Sequence, residues 1–169
     1  MRFRALDLFV AAAILGGLLG IALILRGAPE TQLTGAGEAI DGDSVRLNGV
    51  EIRLKGIDAP EFAQKCRRGA NAAEEWPCGR EARAALRRML LRGPATCIGA
   101  ETDRYGRLLA VCRVLGADVN AAMVRDGLAL AFGGYSAEEK AARDDNRGVW
   151  AGPFQRPRDY RAEHPRVPR

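Results

Sequence analysis

Val50, Ile52 and Leu54 alternate with Glu51 and Arg53, so a strand through VEIRL carries its apolar side chains on one face and points Arg53 off the other. Asn48-Gly49 just before it favours a tight two-residue hairpin back to SVRL at 44–47, and EAI at 38–40 reads as a further strand. Two later runs, ATCIGA at 95–100 and RLLAVCRV at 107–114, predict strands joined by the loop ETDRYGR. Between these groups, REARAALRRMLL at 80–91 has apolar residues at 82, 86, 89 and 90, the stripe of one helix face, and Gly93-Pro94 ends it. Asp118 can cap VNAAMVRD, with Gly127 as its stop. SAEE at 136–139 reads as a capping box opening a helix that ends near Gly148. The elements add up to an α+β fold: a small, mostly antiparallel barrel of five strands with about three helices, compatible with an OB-type barrel.

The first 26 residues follow another pattern. From Leu8 to Leu25 the chain has 18 residues without a polar or charged side chain, close to the roughly 20 that span a bilayer as a helix. A buried core helix would need a polar face, and a signal peptide has a shorter apolar region followed by a small-residue cleavage site. Here the run ends in LRGAPE, with Pro29 after the only small-residue site, which favours an uncleaved anchor. Arg2 and Arg4 precede the span and only Arg26 follows closely, so the positive-inside rule puts the N-terminus in the cytoplasm and the rest outside. The expected organisation is an anchor at 1–26, a linker at 27–34, a folded domain at 35–155 and a basic, Pro-rich tail at 156–169 whose last residues fray.

The cysteines fit that topology. Cys66, Cys78, Cys97 and Cys112 all lie beyond the apolar segment, none in a C-x-x-C pair, and the single histidine, His164, sits in the tail. Such spacing argues against zinc and for two disulfides in an oxidising compartment. Three pairings are possible. If ETDRYGR turns between Arg104 and Tyr105, antiparallel register sets Cys97 opposite Cys112, within reach of a disulfide. Cys66 and Cys78 are then left to pin a loop without obvious regular structure.

Charge adds a partner class. Lys plus Arg number 26 against 21 Asp plus Glu, giving a net charge of +5, and Lys55, Lys65 and Lys140 are the only lysines. Arginine suits bidentate phosphate recognition. Against this basic background stand Asp41 and Asp43 around a glycine, and Asp58 and Glu61 around Ala59-Pro60. Two carboxylate pairs meeting across a barrel would offer the oxygen ligands a hard divalent cation wants. The spacing is not that of an EF-hand, because Val45 stands where a third ligand would be due. Arg53 and Arg107 are candidate cations for a phosphorus centre gaining charge, and Tyr105 could stack on a base or pack on the barrel.

The motifs IDGDSVRL, IRLKGIDAPE, DRYGR, VNAAMVRDGLA and the final GVW resemble, in the same order and at compatible spacing, the thermonuclease family of staphylococcal-nuclease-like domains, over roughly residues 36 to 154. The cysteines resemble those of exported bacterial members. The resemblance implies an OB-fold nuclease cutting DNA and RNA with calcium. It assigns Asp43 and Asp58 to the metal, with Asp41 in the outer shell and Ala59 supplying a backbone carbonyl where the family often has threonine. Ser44 likewise replaces a frequent threonine. Glu61 would be the base that activates water, Arg53 and Arg107 would hold the phosphate and stabilise the transition state, and Arg104 and Tyr105 would contact phosphate and nucleotide. Tyr135 is a looser substrate contact, because FGGY departs from the family pattern. Asp41, Asp43, Asp58 and Glu61 therefore cluster, on this reading, because one metal draws oxygens from two strands beside a base. The expected protein is a monomeric, calcium-dependent nuclease, single-pass in a bacterial inner membrane, with its domain in the periplasm or outside, or secreted if the segment is cleaved. The alternative is a non-catalytic OB-type nucleic-acid-binding module of the envelope.

Overall fold

A computed structural model describes residues 9 to 17, 29 to 69 and 72 to 165. The strands, in chain order, are β1 (Thr31–Gly35), β2 (Gly37–Ala39), β3 (Ser44–Leu47), β4 (Val50–Leu54), β5 (Ile57–Asp58), β6 (Cys66–Arg68), β7 (Glu74–Trp76), β8 (Ala95–Thr102), β9 (Leu108–Val114), β10 (Ala117–Asp118) and β11 (Leu130–Ala131). Residues 9 to 17 are helical (α1), and four further helices follow: α2 (Cys78–Leu90), α3 (Val119–Arg125), α4 (Ser136–Asp144) and α5 (Pro157–Glu163), with a 3-10 turn at Gly148–Ala151.

The fold is α+β with a curled, half-barrel sheet. Its main sheet runs β1-β8-β9-β4-β3-β2, with β10 added beside β9. The five expected strands are all present in it. The sheet has two more, β10 and β1, neither of which was expected: β1 pairs with β8, and β2, one residue on, pairs with β3 at the far end of the path. One segment thus serves both ends of the sheet, and β1 begins inside the stretch expected to be a linker. The β3–β4 hairpin turns at Asn48 and Gly49, both at positive φ (50° and 82°), as a tight hairpin requires. Ile52 and Leu54 are buried as the alternation predicts, whereas Val50, at the hairpin end, is exposed. β4 pairs with β9 in parallel, the one parallel pairing in the described sheet.

Apolar faces of the sheet and of α2 and α3 share a core built on Val45, Leu47, Ile52, Leu54, Leu86 and Met123. α3 begins as predicted, with the Asp118 carboxylate accepting a hydrogen bond from the Ala121 amide at 2.9 Å. α4 differs. Tyr135, in the left-handed region (φ 61°), precedes it with no side-chain cap, and the helix stops at Asp144. The capping box does not close because Glu139 is drawn elsewhere, accepting from the Ala131 amide and pairing with Arg143.

Both disulfides are present, Cys97–Cys112 and Cys66–Cys78. Cys97 faces Cys112 directly, and the ladder then shifts register between Ile98 and Glu101. A side chain at Gly99 would meet the Leu109 carbonyl oxygen at 2.1 Å, so the shift depends on glycine. Cys66 and Cys78 pin a two-stranded ribbon, β6–β7, where no regular structure was expected. Its strands, CRR and EEW, show no alternation. Exposed ion pairs, Lys65 with Glu75 and Arg68 with Glu74, flank their antiparallel ladder. A second apolar cluster joins this ribbon to Leu130, Val149, Trp150 and Phe154.

Among the described residues no helix is long and apolar enough to cross a membrane. Half of the apolar stretch from Leu8 to Leu25 expected to be an anchor lies outside the described residues, as do the last four residues of the expected tail.

Replacing both Cys97 and Cys112 with alanine is expected to lower the unfolding free energy by about 2–4 kcal/mol, in line with a closed loop of this length. Urea unfolding of the oxidised protein checks this, and an unchanged midpoint would mean that the strand ladder alone holds the register.

Candidate active site

The bend at 40–43 brings the first carboxylates together. The Asp43 amide donates to Asp41 Oδ1 (3.1 Å), a local turn typical of aspartate, while backbone bonds from Ile40 to Ser44 and from Leu54 to Asp43 fasten the bend to β3 and β4. Gly42 is pressed between two other elements, and a Cβ there would stand 2.7 Å from the Ala59 methyl and 2.8 Å from that of Ala82 on α2. That contact sets Asp43 against the Asp58-Ala59 segment, and the Ala59 amide donates to Asp43 Oδ2 at 3.0 Å.

β5 carries Asp58 and is held by β11 across the Leu130–Asp58 pair. Beyond buried Pro60, the turn bearing Glu61 is locked by Gln64, a fully buried polar residue. The Gln64 side-chain oxygen accepts from the Glu61 amide (3.1 Å), its amide nitrogen donates to the Gln155 carbonyl (2.7 Å), and its backbone accepts from Gly79.

Guanidinium groups join these carboxylates into one network. Arg53, opposite Ser44 in the hairpin, donates through Nη1 to Asp43 Oδ1 (2.8 Å) and through Nη2 to Asp58 Oδ1 (3.0 Å). Arg161 on α5 donates to both oxygens of Asp58 (3.0 and 3.1 Å) and to Glu61 Oε1 (3.0 Å). On the other side the Ser44 hydroxyl donates to Asp43 Oδ1 (3.2 Å) and accepts from Arg107 Nη1 (3.4 Å). Asp103 orients Arg107 through Nε at 2.8 Å and Nη2 at 2.7 Å, and Glu51 lies 3.7 Å from its Nη1. Burial works against the charge on Asp103, yet bonds from Arg107 and from the amides of Arg107 and Tyr105 hold its carboxyl below the usual range.

Asp43 is only 4% exposed and Asp58 6%. Burial pushes the Asp43 carboxyl up to about 7, against the attraction of Arg53 and with added repulsion from Asp41 and Asp58.

The loop tip at 103–107 projects from this network. Tyr105 is 69% exposed, with the Arg104 and Arg107 guanidiniums 4.9 and 5.6 Å from its ring centre. Tyr135 pairs with an acid outside this network, Asp118. Its hydroxyl lies 3.4 Å from Asp118 Oδ2 and its ring packs against Gly56 and the core, and burial beside Asp118 raises the phenol to about 12.

The family described as staphylococcal nuclease homologue matches residues 51 to 152, well over half of the chain. The chain belongs to that family. The matched span includes Arg53, Asp58, Glu61 and Arg107, while Asp41 and Asp43 lie before it and Arg161 after it. Among similar proteins, the succinoglycan biosynthesis protein ExoI of Rhizobium meliloti (strain 1021) is 32% identical over 146 residues, 80% of this chain and 74% of that one. Protein ParB of Escherichia coli is 32% identical over 175 aligned positions, 90% and 89% of the two chains. The micrococcal nuclease of Shigella flexneri is 29% identical over 135 residues, 68% and 71%.

Sequence reasoning missed Gln64, Asp103, Glu51 and Arg161. Asp103 had a signal, since it precedes Arg107 by four positions within DRYGR. Gln64 and Arg161 had none, because their partners are distant in sequence.

For the calcium ion the family implies, the donors fit in kind: buried carboxylate oxygens from the bend before β3 and from β5. As they stand, no three His, Cys, Asp or Glu side chains among the described residues form a group able to hold a metal ion. Every oxygen of Asp43 and Asp58 already accepts from a guanidinium, a hydroxyl or an amide.

The raised carboxyl has a consequence for stability. Asp43 binds its proton more tightly folded than unfolded, so its favourable contribution is complete below about pH 4 and is lost as pH rises through about 7. Asp43→Asn removes the titrating group, so the melting temperature of the variant relative to the parent, both treated with chelator, is expected to be about 5 °C higher at pH 8 than near pH 4. Thermal unfolding at the two pH values decides this, and a gain of equal size at both would refute the assignment.

Proposed function

We propose that the chain is a calcium-dependent nuclease that hydrolyses phosphodiester bonds of DNA and RNA on an OB-type barrel. The observation that carries the reading is the network in which Arg53 joins Asp43 to Asp58, Arg161 joins Asp58 to Glu61, and Ser44 links Asp43 to Arg107. Acid and guanidinium groups thus converge from β3, β4, β5 and the loop before β9, the combination that phosphodiester hydrolysis needs. Membership of the nuclease homologue family supports it, as does the nuclease named among its relatives.

In this reading Asp43 and Asp58 hold the cation with the Ala59 carbonyl, and Asp41 supports them from behind. Bound calcium would supply positive charge to the phosphoryl oxygens. Arg53 and Arg107 bind the remaining oxygens of the scissile phosphate and stabilise the charge that grows on them as phosphorus becomes five-coordinate. Glu61 takes a proton from water as the water oxygen bonds to phosphorus, and the bond to the leaving sugar oxygen breaks. Asp103 and Glu51 keep the Arg107 fork pointed at Ser44 and the cluster. Arg104 and Tyr105 receive the flanking phosphate and base. Tyr135 is the looser substrate contact, beside Gly56.

Two disulfides fit an oxidising, extracytoplasmic compartment. The 18-residue apolar stretch from Leu8 to Leu25 is the segment that would hold a monomeric enzyme at the outer face of a bacterial inner membrane.

The test is cleavage of labelled single-stranded DNA and RNA by the oxidised protein, in calcium or in chelator, beside Glu61→Gln. Calcium-dependent cleavage that falls by about 100-fold or more in the variant is expected. Binding without cleavage in every condition would replace the enzyme with a non-catalytic nucleic-acid-binding module.

A further inference from the structure

Arg161 reaches the carboxylate cluster from α5, more than 100 positions along the chain from Asp58. Its fork spans Asp58 and also touches Glu61, the bidentate geometry that makes arginine–carboxylate pairs strong. Burial alone would lower the basicity of this guanidinium, yet the two carboxylates hold it above its usual value. The side chain is still 37% exposed, so the group sits at the mouth of the cluster rather than within the core.

The helix that carries it is lightly held. Upstream, the chain is fastened to the β6–β7 ribbon by backbone bonds from Arg67 to Pro153 and from Gly69 to Ala151, and by Gln64 on Gln155. Past that point only Pro157 of α5 is buried, and the helix makes no substantial packing contact with another helix or strand. Its docking therefore rests chiefly on the ion pairs of Arg161.

We propose that Arg161 is a tethered counter-ion, which neutralises Asp58 and Glu61 until a divalent cation displaces it, so that loading the cation releases helix α5 from the mouth of the site. This rests on the reading of the cluster as a cation site. The competition follows from the lone pairs: Asp58 Oδ1 already accepts from Arg53 and Arg161, and Oδ2 from Arg161. A cation that takes either oxygen directly also stands within a few ångströms of the guanidinium and repels it. A doubly charged ion that coordinates directly prevails over a singly charged fork, and the helix then loses its anchor.

The experiment is a calorimetric calcium titration of the full chain and of two single variants on α5, Arg161→Ala and Arg158→Ala. Arg158 is exposed on the same helix and loses the same charge without touching the carboxylates. Arg161→Ala is expected to bind calcium about tenfold or more tightly than the parent, because the competing fork is gone. Arg158→Ala should shift affinity by less than about threefold, the scale of a screened surface charge. Amide hydrogen exchange of the parent chain supplies a readout that needs no variant, and calcium should accelerate exchange across residues 157 to 163 while leaving β8 and β9 protected. Unchanged affinity in Arg161→Ala, an equal gain in Arg158→Ala, or undisturbed exchange in α5 would overturn the proposal while calcium-dependent cleavage stands. Failure of both parent and Arg161→Ala to bind calcium would overturn this inference and the cation-site reading together. Should Arg161→Ala not fold, the exchange measurement on the parent decides.

Discussion

Asp43 and Asp58 repel each other, and both are taken almost wholly out of water. One guanidinium, that of Arg53, makes this arrangement possible by donating to both carboxylates at once. Its position is a matter of register: in the β3–β4 hairpin Arg53 lies opposite Ser44, beside Asp43, and one turn later the chain enters β5 and presents Asp58. Removing that guanidinium would leave two buried charges without a shared partner, a change far costlier than the loss of a surface pair. The close packing of Gly42 against Ala59 and Ala82 and the antiparallel support of β11 keep the two acids within reach of the same fork.

Local chemistry made much of this legible in the sequence. Asn48-Gly49 announced the hairpin, the alternation in VEIRL placed Arg53 off the core face, Asp118 marked the start of α3, and equal spacing from a turn put Cys97 across from Cys112. Each depends on neighbours a few positions away or on one strand pairing. What stayed hidden depends on distant partners. The β6–β7 ribbon shows no alternation and is held by the Cys66–Cys78 disulfide and the buried cluster around Trp76, Glu139 bonds outside its capping box, and Gln64 is recognisable as a clamp only once Gln155 is seen beside it. Within the site, the acids and Arg53 could be named from their motifs. Arg161 sits in a segment whose composition suggested a solvated tail.

Ala59 makes a contact that its motif did not announce. The expectation drawn from its family concerned the backbone carbonyl, but the observed bond is made by the amide, which donates to Asp43. The residue thereby ties the two acidic segments together directly, through an atom that every amino acid but proline possesses. Substituting alanine for the more frequent threonine leaves that link intact. The names of its relatives, one a nuclease and one a succinoglycan biosynthesis protein, attach to the same domain, so this chain's chemistry has to be read from side chains such as these.

Gly79, in the first turn of α2, lies where a single methyl group would fall 1.7 Å from the carbonyl oxygen of Glu61. The helix thus acts as a mould for the turn that carries the acid, touching it with bare backbone and leaving no gap for a side chain of any size to adjust. A shape set in this way cannot be tuned in small steps. Descendants of this sequence would be free to vary on exposed faces away from the site, while the ground under Glu61 stays as it is.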